Sequence, residues 1–119
     1  MSENKEYISQ IDDQSNIHIS ETAICTVVAM AAVEVEGVGG LSNLGADMAD
    51  IAAHKNLSKA VRVREEEGQL SIDLSVLVQF GSNIQSVAKA VQDAVKAEME
   101  SVIGLPVSAV NVYVSGVVL

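Results

Sequence analysis

Four groups of side chains in this chain have types and spacings that chemistry uses. Glu65, Glu66 and Glu67 set three carboxylates in a row. General acid/base catalysis needs two carboxyls converging on one substrate inside a cleft. These three precede Gly68 between two alternating apolar runs, which puts them in solvent at a hairpin tip. They also lack the spaced oxygen ligands of a calcium loop. Gly37-Val38-Gly39-Gly40 invites a phosphate-loop reading. A dinucleotide fingerprint follows a strand, opens a helix and carries the full GxGxxG spacing. Here the glycines follow a helical pattern, so they read as a helix-ending turn. Cys25 is the single cysteine, and a nucleophile would need a base beside it. Only His18 and His54 exist, and nothing in the sequence places either there. Cys25 therefore reads as a small buried hydrophobe, and one cysteine with two distant histidines does not make a zinc site. Arg62 and Arg64 are the clustered cations, suited to a carboxylate or phosphate or to pairing with Asp73 across a hairpin.

No catalytic constellation emerges, so the elements must say more. The 119 residues suffice for one domain with one modest core. Hydrophobic residues make up 49% of the chain, aromatics only 3%, and tryptophan is absent. The core is expected to be aliphatic, with few platforms on which a base or sugar could stack. The formal net charge of -9 disfavours nucleic acid and anionic lipid alike. One cysteine fits a reducing compartment. The polar, acidic N-terminus lacks the basic and apolar regions of a secretory signal, and the longest nearly apolar stretch, Ala23 to Val33, is too short to span a bilayer. A cytoplasmic protein without direct membrane insertion is the expectation.

Residues 1–15 read as a flexible acidic tail, and 16–119 as one domain. Ile17 and Ile19 suggest a short strand. Ser20 can cap a helix over residues 21–35 that buries Ile24, Val27, Val28, Ala31 and Val35. Val38 to Asn43 reads as a turn or short extended piece, and Asp47 as the cap of a short helix ending before Asn56. Val61 and Val63, then Leu70 through Phe80, alternate as two half-buried strands. A tight turn at Glu67-Gly68 places Val63 opposite Ile72, Val61 opposite Leu74 and Arg62 opposite Asp73. A second helix, capped by Ser82 or Asn83, carries the stripe Ile84, Val87, Ala88, Val91, Val95, Met99, Val102 and Ile103. Lys89, Asp93, Lys96 and Glu100 line its polar face. Gly104 and Pro106 end it, and Val110, Val112 and Val114 alternate in a last strand, parallel to the one before the helix. The order β-α-β-β-α-β predicts an α+β, two-layer sandwich: a mixed sheet with two main helices on one face.

Several segments together resemble one family. They are the helix leading into Val35-Glu36-Gly37-Val38-Gly39-Gly40-Leu41, and the Val61-Arg62-Val63 strand with Ile72 to Val78. The most specific are Gly81, Ile84, Val87, Val91, Gln92, Val95 and Lys96, then Ile103-Gly104-Leu105-Pro106-Val107 and Val110 to Val117. In this order and spacing, over some hundred residues, the chain resembles the Gram-positive alkaline-shock and general-stress protein family, also described as envelope stress response proteins. The resemblance implies a non-enzymatic cytoplasmic protein of cell-envelope homeostasis, with no cofactor and no catalytic residue to carry over. It implies protein partners, among them a membrane-anchored one, and a homo-oligomer is a further expectation. The interaction surface expected from the residues is Arg62, Arg64, Asp73, Asn111 and Tyr113. A second reading is a small-ligand or regulatory binding domain of lipid or acyl metabolism, with an apolar pocket between helices and sheet.

Overall fold

Two residues fix the register of the central hairpin. In the computed structural model, which describes residues 7–9, 18–42 and 57–119, Glu67 and Gly68 both take positive φ, 54° and 81°. That is the backbone of a two-residue turn whose twist matches the flanking strands. The turn joins two antiparallel strands, β4 (Val61–Glu66) and β5 (Gln69–Gln79). Val63 faces Ile72, Val61 faces Leu74 and Arg62 faces Asp73, the register expected from the alternation.

β5 is the spine of the sheet. One flank carries β4 along the first part of the strand and β3 (Val38–Leu41) along the last, both antiparallel to β5. The other flank carries β6 (Val107–Val118), parallel to β5 along nearly its whole length. Between β5 and β6 runs α2 (Ile84–Glu98), capped by the Asn83 side chain, which accepts from the Ser86 N–H at 2.9 Å. α1 (Glu21–Val33) is capped by Ser20, whose Oγ accepts from the Ala23 N–H at 3.0 Å. The buried faces of both helices join one cluster with the inward residues of the sheet: Ile24, Val28, Val91 and Val95 with Leu70, Ile72, Leu74, Val76 and Val78. The protein is an α+β fold with a mixed sheet.

Several elements depart from the reading of the sequence. Within the stretch expected to be a tail, β1 (Tyr7–Ser9) pairs antiparallel with β2 (His18–Ser20). β2 thus belongs to a separate two-stranded ladder, and β3 takes the place in the main sheet that the sequence suggested for residues 17–19. The glycine run enters that sheet because Gly39 has no Cβ; one there would lie 2.8 Å from Val118 Cγ2. α1 ends at Val33, two residues early.

The expected core stripe is also trimmed. Phe80 is 74% exposed, because the chain turns at the end of β5, with Gly81 at φ 94° and the Ser82 N–H bonded to Gln79 O. Ile84 and Val102 are 46% and 56% exposed. A π-turn, Met99–Ile103, continues α2. Its wider turn advances each residue through a smaller angle, so Ile103 stays over the core while Val102 swings out. Gly104 closes the turn in the left-handed region at φ 86°, its N–H bonded to Met99 O at 2.9 Å. On the polar face of α2, Lys89 pairs with Asp93 at 3.3 Å. The short helix expected from Asp47 lies outside the described residues.

Candidate interaction surface

The alternation that buries one face of the sheet sets a row of polar residues on the other. Ser71, Asp73 and Ser75 of β5 point away from the helices, beside Arg62 and Arg64 of β4 and Asn111 and Tyr113 of β6. All five residues expected to form an interaction surface lie on this open face. They are knit around Asp73: Arg64 reaches one carboxylate oxygen at 3.3 Å, and the Asn111 amide donates to the other at 2.9 Å. Arg64 also donates to Ser71 Oγ at 3.1 Å and approaches Glu66 at 3.9 Å.

One pairing differs from expectation. Arg62 sits directly opposite Asp73 in register, yet Asp73 is held by Arg64. Sheet twist brings the diagonal neighbour into reach, and a long guanidinium side chain can exploit it. Arg62 is left exposed at a shallow notch of about 210 Å³ with Lys59, Ala60, Val61, Asp73, Ser75 and Tyr113. Ser71, Ser75 and the Ser42–Ser115 hydroxyl pair at the far end of the face were not singled out from sequence. For Ser71 and Ser75 the signal was present, since they share Asp73's parity on β5.

The second open feature is an edge. Among the described strands, β6 pairs with β5 alone, leaving its other edge free. Natural edges are guarded by charges, prolines or brevity. β6 has twelve residues, none charged and none proline. One carbonyl is covered: the Gln92 side chain of α2 donates to Val110 O at 3.0 Å. No periodicity in the sequence foretells that contact. Toward the end of the strand Val117 is 50% exposed.

Among the described residues the other chemical groups do not converge on one another. Glu65, Glu66 and Glu67 are exposed at the hairpin tip. Among the described residues no group of three or more His, Cys, Asp or Glu could hold a metal ion. Cys25 is buried, with its thiol 3.8 Å from Val61 O. Burial, helped by the negative charge of Glu21, pushes the thiol up from 9.0 to about 12, which keeps it protonated and unreactive at neutral pH. The folded state therefore holds this proton more tightly than the unfolded chain does. Its contribution is complete below pH 9 and is lost as pH rises from 9 toward 12. Wild type should lose stability relative to Cys25→Ala across that window, as measured by urea unfolding at each pH. A difference that stays constant with pH contradicts this account.

Comparison with known proteins gives these surfaces a context. A model of the alkaline shock protein 23 family, described as having a cell envelope-related function, matches residues 9–119. The chain belongs to this alkaline-shock family. The match agrees with the resemblance carried by the β4–β5 hairpin and the α2–β6 segment. Among its relatives is the uncharacterized protein YloU of Bacillus subtilis (strain 168), 38% identical over 104 residues, covering 85% of this chain and 87% of YloU. Spy1535 of Streptococcus pyogenes serotype M6, also uncharacterized, is 33% identical over 114 residues, covering 95% of this chain and 82% of the relative. No solved structure matches the chain significantly. Among the described residues of this alkaline-shock-family chain, no helix is long and apolar enough to cross a membrane.

Proposed function

We propose that this alkaline-shock-family chain is a non-catalytic interaction module of the cell-envelope stress response. It acts in the cytoplasm by docking to protein, either a membrane-anchored partner or a second copy of itself. The family's envelope-related function supports the setting. The observation that carries the mode of action is the free edge of β6, twelve uncharged residues long. An extended segment can add to such an edge through backbone hydrogen bonds, with the alternating side chains reading the partner's sequence. Among the described residues two shallow openings lie beside β6. One lies between α2 and β6 and is lined by Lys89, Gln92, Asp93, Lys96 and Ser108; the other is the notch beside Arg62. Neither is an enclosed apolar cavity of the kind that holds an acyl chain; what favours the interaction reading is the long uncharged edge of β6.

The test guards the edge. Ala109→Lys with Val117→Lys places charges along β6 at two exposed positions. Retention of partner from a detergent-solubilised Gram-positive membrane fraction should fall roughly tenfold or more, with the melting temperature unchanged. Equal retention by the double variant, or turnover of a substrate by the purified protein that a point mutation removes, would overturn the proposal.

A further inference from the structure

We propose that the outer face of the sheet carries a carboxylate-binding notch that takes an acidic side chain of a partner's extended peptide. This rests on reading the chain as a protein-interaction module and narrows the chemistry of its partner. The argument begins with an unspent charge. The chain has 16 acidic residues and only seven lysines and arginines, so a cation should find a carboxylate readily. Arg62 even faces one across the hairpin. Yet both oxygens of Asp73 are engaged, by Arg64 at 3.3 Å and Asn111 at 2.9 Å. Among the described residues no acidic group pairs with Arg62 or with Lys59. Two exposed cations thus stand together at one opening of a protein whose charge is -9.

The shape suits a single side chain. Ser75 lies between Ala60, whose carbonyl accepts from the Ser75 N–H at 2.9 Å, and Tyr113, its partner on β6. A small residue there leaves a floor about 210 Å³ in volume, with Arg62 and Lys59 on one side and the Tyr113 ring, 56% exposed, on the other. A carboxylate seated on Ser75 meets the planar fork of Arg62, the ammonium of Lys59 and two hydroxyls. Asp73 on the rim decides between anions. Both its oxygens are held by Arg64 and Asn111, but its charge stays beside the seat and penalises the more highly charged anion. Inorganic phosphate carries up to two negative charges at neutral pH, so Asp73 repels it more than it repels a singly charged carboxylate.

The probes are an end-blocked peptide alternating glutamate and valine, the same peptide with glutamine for glutamate, and inorganic phosphate. Each is titrated into the full chain while backbone amide resonances are followed by NMR. The glutamate peptide should shift the amides of Arg62, Ser75 and Tyr113, and more weakly as salt is raised. Arg62→Gln should weaken its binding roughly tenfold. Lys89→Gln, which removes a cation on α2, should leave it unchanged. Equal shifts from the glutamine peptide, stronger binding of phosphate at the same amides, or no shift at millimolar peptide would each overturn the notch. Capture from the membrane fraction separates this failure from the larger one. If Arg62→Gln retains the partner as wild type does, the notch is wrong and the interaction module stands.

Discussion

Leu74→Ala is expected to cost about 3 kcal/mol of stability and to lower Tm by about 10 °C for a domain of this size. Leu74 is 0% exposed at the middle of β5, with Val61 opposite it on β4 and Val112 on β6. Removing its branched end opens a void where both flanks of the sheet meet the helix layer. The core cannot close that void cheaply. Its neighbours are mainly β-branched valine and isoleucine, stiff at χ1, and among the described residues no fully buried aromatic ring could tilt into the space. Urea unfolding should show the midpoint moving with the m-value unchanged. A cost below about 1 kcal/mol would mean that the two flanks relax independently and that β5 does not bind them into one core.

Gly37→Ala is expected to cost nearly as much, by a different route. Gly37 sits between α1 and β3 at φ 97°, where an L side chain is strained by about 1–2 kcal/mol. A Cβ there would also lie 2.6 Å from Val87 Cγ2 and 3.3 Å from Ser82 Oγ, so α2 must move or Val87 must leave its rotamer. Strain and overpacking together come to about 3 kcal/mol. Gly104→Ala is the matched control. Its φ is 86°, but nothing lies within 4 Å of the added Cβ, so only the backbone cost of about 1–2 kcal/mol remains. In a double-mutant cycle, Val87→Ala should relieve the packing part of the Gly37→Ala penalty and leave the backbone part. Equal penalties at the two glycines would contradict the close approach of α2 to this turn.

The two glycines also show where the sequence could be read and where it could not. Gly104 was legible because it ends a long amphipathic pattern just before Pro106, a local signal. Gly37 was legible only as a breaker, because the atom it makes room for, Val87 Cγ2, belongs to a helix far along the chain. The β4–β5 register was readable because apolar and charged pairings demanded the same alignment. The parallel partnership of β5 and β6 followed from the helix between them. β1 was missed, and β3 was legible only as a turn or short extended piece, because each is only a few residues long and a short strand is specified by the edge it meets. Phe80 and Val102 were misplaced for a related reason: a periodic pattern predicts burial only while the backbone keeps its period, and a turn and a π-turn break it. The five residues of the expected surface do share one face, since strand parity fixes that. Which of the two arginines holds Asp73 depends on sheet twist, and that choice leaves Arg62 free.

An interaction module differs from an enzyme or a ligand carrier in what touches its free edge inside the cell. The most direct measurement is photo-crosslinking in a Gram-positive host, from a photoreactive residue replacing Ala109 on the open side of β6, with the adducts identified by mass spectrometry. The account predicts one dominant adduct, either a membrane-anchored envelope protein or a second copy of this chain, that is lost when Val117→Lys is added. The same label at Glu98, at the end of α2, should not give it. Adducts spread over soluble metabolic enzymes, or none from Ala109 while Glu98 gives a dominant one, would contradict the claim that this alkaline-shock-family protein works through its β6 edge.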